Sequence, residues 1–397
     1  MTGERIRQAR LVAGFTLDEL SAILTSLNFP VTKQALSNYE KNKRTPNSAV
    51  LNKMAKVLNV KASYFITDPI CQISWLEFRK QSGLTKTIEE EIKAIGQSIA
   101  EKHISLMDKI CPDEEPSFPA VSKIRTMDDA ETASEQVRSY WKLGDAPLVS
   151  LTDILEENGG IIAGYDKMGT VRFDGLSGTV NDKFPLMIIN SHPSIPVDRK
   201  RFDLGHELGH VVLDCTNKDN CEKLMHRFAG AFLAPRSVVY KTFGRQRHRI
   251  YPEELAVFKE KYGISMAALL YRARDLNIIS DSYYTNMNIQ FRQRGLHKNE
   301  GVEFKGKEQP SRLRQMVLRA LAEDVITVDE AERLCNGIVP KLIVDQTIRL
   351  TPKVMMKLSV ADRKKLLASV AKIAEKVYGE NSELTEFEAF GGHDLEN

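Results

Sequence analysis

RKRFDLGHELGHVVL, residues 199–213, is the stretch on which the reading of this chain turns. Its apolar residues recur at helical spacing, which predicts one amphipathic helix. His206 and His210 stand four residues apart, so their imidazoles share one helical face. Two neutral ring nitrogens so placed can grip a single Zn²⁺. Glu207, beside the first histidine, is positioned to polarise a water at the ion, take its proton and pass it to a leaving amine. A catalytic zinc needs a third protein donor and an open fourth position. Asp214, Cys215, Cys221, Glu222 and His226 all follow closely enough to supply it.

The next run, CEKLMHRFAGAFLAP (residues 221–235), predicts an apolar-faced helix stopped at Pro235 and suited to lie beside the first. Glu222 and His226 are again four apart and share a face. Upstream, residues 128–143 and 151–158 read as helices. Strand-like pieces at 161–165, 170–173, 177–180 and 186–189, parted by Gly, Asp and Asn turns, predict a small sheet. In zincins, which this motif resembles, an edge strand above the metal pairs with the substrate backbone, and residues 184–190 (FPLMIIN) are the expected counterpart. Residues 73–109 read as mostly helical, and the proline-rich 111–119 as a loop or linker. Farther on, 310–322, 327–335 and 358–378 predict helices. The last is amphipathic, and packs on its own core or forms a dimer seam. Residues 379–397 read as an acidic tail.

The first 66 residues hold 10 Lys or Arg and 4 Asp or Glu, a local charge of +6 against +3 for the whole chain. A basic leading domain on a mildly acidic body suits contact with a polyanion. Four helices are expected there, with a fifth turn at Ser63, Tyr64 and Phe65. Thr16 with Glu19 forms a capping-box pattern, and Thr32 is a further N-cap. Ala35, Leu36 and Tyr39 can face inward, which leaves Lys33, Gln34, Ser37 and Asn38 on a polar face.

The residues GERIRQAR, TLDEL, TKQALSNYEKNKRTP and LNKMAKVLNV together resemble the XRE-type helix-turn-helix repressors over about one sixth of the chain. The resemblance implies that residues 32–42 form the recognition helix in the major groove of a double-stranded DNA operator. Lys33, Gln34, Ser37 and Asn38 would then reach base edges, and Lys41, Asn42, Lys43 and Arg44 would rest on phosphates. Leu17 stands where the family usually has Gln, and the link TSLNFPV is about five residues longer than usual.

RFDLGHELGHVVLD followed by EKLMHRFAGAFLAP, with RFDGLSG upstream and YGIS and ALLYRARDL downstream, resembles the ImmA/IrrE family of zinc metallopeptidases over roughly residues 128–330. That resemblance implies Glu222 as the third zinc ligand of a His206, His210, Glu222 site. It places His226 beside the ligands, where it could bond a ligand or the substrate. Asp214 stands where the family commonly has His, and would likewise touch a ligand or the substrate. Gly205 and Met225 each replace a usual Ala. The oxyanion-stabilising group is left open among Arg, His and Tyr of 226–272.

The expected fold is mainly α with a small β-sheet (α+β). It comprises a five-helix reader at 1–66, a helical connector at 67–127, a zincin-like metallopeptidase domain at 128–295 and a helical C-terminal region at 296–397. Apolar residues form 42% and charged residues 27%, a soluble globular mix; no stretch is apolar enough to span a bilayer and the first ten residues carry no signal-peptide run. Five scattered cysteines read as reduced thiols. A cytoplasmic location follows as the expectation, with no membrane partner. The expected function is a DNA-binding regulator with zinc endopeptidase activity on a repressor, acting as a homodimer in stress response or mobile-element control. The alternative is a non-catalytic repressor or antitoxin, with a toxin partner, whose zinc fold serves as sensor or dock.

Overall fold

The computed structural model describes residues 2–76, 84–167, 173–215, 220–297 and 299–338. The expected helix at 358–378 and the acidic tail lie outside them. The reader comprises α1 (Thr2–Ala13), α2 (Leu17–Ser26), α3 (Lys33–Glu40) and α4 (Ser48–Val57), closed by a single 3-10 turn, Ala62–Phe65. Its starts are written in the sequence. Thr16 and Glu19 cap α2 reciprocally, and Thr32 and Asn47 accept the Ala35 and Val50 amides. Ile6, Leu20, Leu24, Leu36, Met54 and Phe65 fill the core between these helices and are wholly buried.

β1 (Ile73–Trp75) follows, then the long α5 (Lys86–Ile110), β2 (Ser122–Ile124), α6 (Met127–Tyr140) and α7 (Leu151–Glu157). Ile73–Trp75 was expected within a helical stretch and is instead a strand. A β-branched and an aromatic residue flank Ser74, and they pair with Val180 and Gly178 across the sheet. β3 (Ile161–Tyr165), β4 (Gly175–Val180) and β5 (Phe184–Asn190) complete that sheet in the order β1-β4-β5-β3. β4 runs antiparallel to both its neighbours, and β3 runs parallel to β5.

β5 is therefore not an edge. Every one of its residues is buried, and it is hydrogen-bonded on both sides. Its unbroken apolar run is the mark of a strand covered on both faces, and the expected pairing with a substrate backbone has no free edge to use. The expected strand at 170–173 falls mostly on residues outside those described, and Phe173 is irregular and buried.

α8 (Val197–Val212), β6 (Leu213–Cys215) and α9 (Cys221–Leu233) come next. β6 pairs in parallel with β2. The helices α10 (Arg236–Phe243), α11 (Pro252–Tyr262), α12 (Met266–Asp275) and α13 (Asp281–Gln293) form a second cluster around Phe258, Ile264, Leu269 and Leu270. α14 (Arg312–Ala322) and α15 (Val328–Leu334) end the described chain.

Between α13 and α14 the chain runs without regular structure and is pinned at three points four residues apart. Glu300 accepts from Lys259 and from the Met266 and Ala267 amides at the start of α12. Phe304 lies 4.7 Å beneath the Arg201 guanidinium. Glu308, fully buried, accepts from Arg201 at 2.6 Å and from the Leu151 and Thr152 amides. This strap fixes α8 from the side away from its histidines.

α5 joins the reader to the sheet. Arg5 of α1 forms a buried two-pronged pair with Glu101, at 2.6 and 3.0 Å. Arg7 pairs with Glu90, and Lys167, just after β3, bonds both Glu91 and the Leu11 carbonyl.

His103 of α5 is 1% exposed, and neither ring nitrogen has a hydrogen-bond partner among the described residues. Burial, with Arg312 and Lys102 adding to it, holds its pKa down to about 3 from 6.5. The folded chain then keeps this ring neutral while the unfolded chain protonates it. Its contribution to stability is full above pH 6.5 and is lost as pH falls toward 3. Replacing His103 by Leu should raise stability by about 1 kcal/mol at pH 7 and flatten the acid slope between pH 6 and pH 4, read by urea unfolding. An unchanged slope would show that this ring does not carry it.

Candidate metal centre and nucleic-acid interface

On α8 the residues Phe202, His206 and His210 fall at i, i+4 and i+8, one face of the helix. On α9 the residues Glu222, His226 and Gly230 do the same. The two helices pack tightly through small residues: a Cβ at Gly209 would stand 2.9 Å from the Met225 sulfur, and one at Gly205 would stand 3.5 Å from Ala229. Met225, where the resembled family has Ala, is thus accommodated by Gly209.

The result is a convergent triad. His206 Nε2 lies 3.1 Å from His210 Nε2 and 3.2 Å from Glu222 Oε2, and His210 Nε2 lies 3.8 Å from Glu222 Oε1. One donor atom from each of the three lies within 4.8 Å of the others. Donors sitting about 2.0–2.2 Å from a tetrahedral zinc are separated by little more than 3 Å, so this set fits the ion. Two ring nitrogens that face each other and a carboxylate are the donor chemistry of such a site. Glu222 is held down to about pKa 2, first by the His206 hydrogen bond. His210 is pushed down to about 4 by burial and by His206.

Glu207 is not among these donors. Ser177 Oγ donates to its Oε2 at 2.6 Å, and a Cβ on Gly175 would stand 2.4 Å from its Oε1. Only a glycine lets β4 come so close to this carboxylate. Burial raises the Glu207 pKa to about 7, against the pull of His206 and the Ser177 bond. Ser177 and Gly175 were quoted above within RFDGLSG, but no role was assigned to either. A run of small residues between two apolar strands was the available sign of close approach.

His226 lies outside the triad but against it, with ring centroids 4.6 Å from His206 and 5.8 Å from Phe202. Its Nδ1 is 2.6 Å from the Glu222 carbonyl. A carbonyl only accepts, so Nδ1 carries the proton and Nε2 is the ring's free acceptor. Asp214 is not brought to the triad. The chain turns extended at Leu213, and Asp214 projects, exposed, from β6 opposite Lys123. Cys215 and Cys221 are likewise outside the triad.

In the reader, Lys33, Gln34, Lys41, Asn42, Lys43 and Arg44 are exposed, and Ser37 and Asn38 are half-buried on α3. Lys33 is paired with Asp18 at 2.6 Å, both groups in solvent. Asn42 takes φ 54° just after α3 and accepts the Gly3 amide at 2.8 Å, so its oxygen ties α1 to the end of α3. Lys33, Ser37 and Lys41 share a cavity of about 510 Å³ with Thr87, Glu90 and Glu91 of α5. Glu90 and Glu91 are already paired, with Arg7 and Lys167.

Residues 163–274 match the IrrE N-terminal-like domain, peptidase family M78, and residues 6–65 match the helix-turn-helix family. No curated protein matches the chain. No helix among the described residues is long and apolar enough to cross a membrane. The chain thus joins an XRE-type helix-turn-helix DNA-binding domain to an ImmA/IrrE-like metallopeptidase domain.

Proposed function

We propose that this protein is a transcription regulator that cleaves a repressor protein through a zinc centre held by His206, His210 and Glu222. The domains are taken as a reader at 1–66, a connector at 67–127, a peptidase at 128–295 and a C-terminal region at 296–397. The observation that carries the reading is the convergence of three donors from two helices within 4.8 Å. The neighbouring Glu207 is not one of the three donors and is held by Ser177. A zinc ion bound there supplies Lewis-acid polarisation of a substrate carbonyl and of the attacking water.

The rest is done by the chain. Ser177 fixes one oxygen of Glu207 and leaves the other to take the water's proton and return it to the departing amine. The reader holds the enzyme at an operator, which raises its effective concentration beside a DNA-bound repressor. Gln34 and Asn38 offer bidentate contacts to adenine, Lys33 and Ser37 reach bases, and Lys41, Lys43 and Arg44 fix register on phosphates, with Asn42 beside them. Operators with paired half-sites would be read by a homodimer in the cytoplasm.

Purified protein should bind one zinc per chain by elemental analysis, and Glu222→Ala should lose it. With the repressor from the neighbouring gene as substrate, Glu207→Gln should slow cleavage about a hundredfold or more while retaining zinc. Intact cleavage in that variant overturns the assignment of the base. DNA binding that responds to a ligand or a toxin, with zinc bound and no cleavage of any repressor, would favour a sensor or antitoxin instead.

On DNA, Gln34→Ala should relax sequence preference by about 1–3 kcal/mol at one base pair, whereas Arg44→Ala should weaken all sites together and lower the salt slope by about one. Competition binding at two salt concentrations separates these outcomes. If neither change alters binding, α3 is not the recognition element.

A further inference from the structure

The faces of α8 and α9 that carry the triad do not end there. Beyond His206 the α8 face continues to Phe202, and beyond Glu222 the α9 face continues to His226 and Gly230. These three line a cavity of about 370 Å³ whose far wall is Ala267 and Tyr271 of α12 and Tyr284 of α13. At 1.5 Å per helical residue, His226 and Gly230 stand about 6 and 12 Å along α9 from Glu222. An extended peptide advances about 3.5 Å per residue. A side chain next to a scissile bond at the triad therefore reaches this cavity without a bend in the backbone.

Three of the charged residues in its walls, Arg227, Arg272 and Asp275, are spent on ion pairs. Arg227 pairs with Asp275 at 3.1 Å and with Glu131 at 2.8 Å, and Arg272 pairs with the same Glu131 at 3.0 Å. Arg274 lies over both tyrosine rings from outside, at 4.2 and 4.7 Å, and fixes them edge to face. Lys223 remains exposed among the lining residues. Gly230 keeps the cavity open, since a Cβ there would meet only the Arg272 side chain, at 3.9 Å.

We propose that this cavity is the specificity pocket of the peptidase and takes a bulky apolar side chain, aromatic foremost, from the substrate residue beside the cut. Three aromatic rings offer such a side chain edge and face contacts. A charged side chain would have to break into the Arg227–Asp275 pair, whereas an apolar one leaves it intact. The assignment rests on the reading of His206, His210 and Glu222 as metal ligands, and the test separates the two.

Zinc-loaded full-length protein is titrated by calorimetry with acetohydroxamate, then with the hydroxamates of N-acetyl-alanine and N-acetyl-phenylalanine. Acetohydroxamate has no side chain to place and reports the metal alone. The phenylalanine compound should bind about ten- to a hundredfold more tightly than the alanine compound. Gly230→Leu should cancel that preference. So should Ala267→Trp, a change at an exposed position that leaves the helix cores untouched. Acetohydroxamate binding with no preference between the other two overturns the pocket, as does a preference that survives both substitutions. Failure of all three hydroxamates to bind overturns the metal centre and the pocket with it.

Discussion

The distance between α8 and α9 is the constraint on which the site depends. One helix can present two imidazoles on a face, but the third donor must come from outside, and its position follows from how near the second helix can lie. Gly209 removes the side chain that would hold α9 away, while a Cβ at Gly205 would only touch Ala229. Glu222 can then stand 3.2 Å from His206, and His226 and Phe202 fall opposite one another as a consequence. The same approach carries the paired faces beyond the triad. A larger residue at 209 would strike Met225 and part the helices where the donors meet.

Such an approach holds only if α8 cannot slide. Its core face is pinned by Leu204, Leu208 and Val212 among Leu224, Met225, Phe228 and Phe232. Its far side is pinned by Arg201, whose guanidinium meets Glu308 in full burial and also reaches the Leu148 carbonyl. A buried pair is weak evidence for stability, because desolvation offsets much of its attraction. Its value here is directional: removing either partner would strand a charge and cost about 3–5 kcal/mol. A register shift of α8 would do the same. Glu308 also accepts two amides at the start of α7, where the helix dipole favours a negative charge.

Local signals made much of this legible. The capping box at Thr16, the continuous strand at 161–165 and the periodic helices bearing His206 and Glu222 are all decided by residues within a few positions of one another. What escaped was set at a distance. β1 is three residues long and gains its identity from a partner more than a hundred positions away. The burial of β5 was visible in its unbroken apolar run, but its place between two strands was not. Ser177 and Gly175 serve Glu207 across about thirty positions, and Glu308 serves Arg201 across 107. Asp214 follows α8 directly in sequence, yet the chain turns extended at Leu213 and carries it off along β6.

One helix ties the reader to the chemistry. Gly96 of α5 sits so close to Ile188 and Trp75 that a Cβ would strike both, so the helix lies directly on the sheet beside β1 and β5. Five residues farther along, Glu101 closes on Arg5, with that guanidinium stacked 3.7 Å over Tyr64 of the reader. Turning the reader away from the sheet would bare an arginine and a glutamate that are each less than one-tenth exposed. Exposed ion pairs such as Lys33 with Asp18 contribute little and yield readily to salt. The buried pair does not, because nothing in solvent reaches it. The helices of residues 2–65 are thereby tied to α5, and through α5 to the sheet on which Ser177 meets Glu207. The helix-turn-helix segment and the His206, His210, Glu222 cluster are therefore held at a fixed distance and direction from one another.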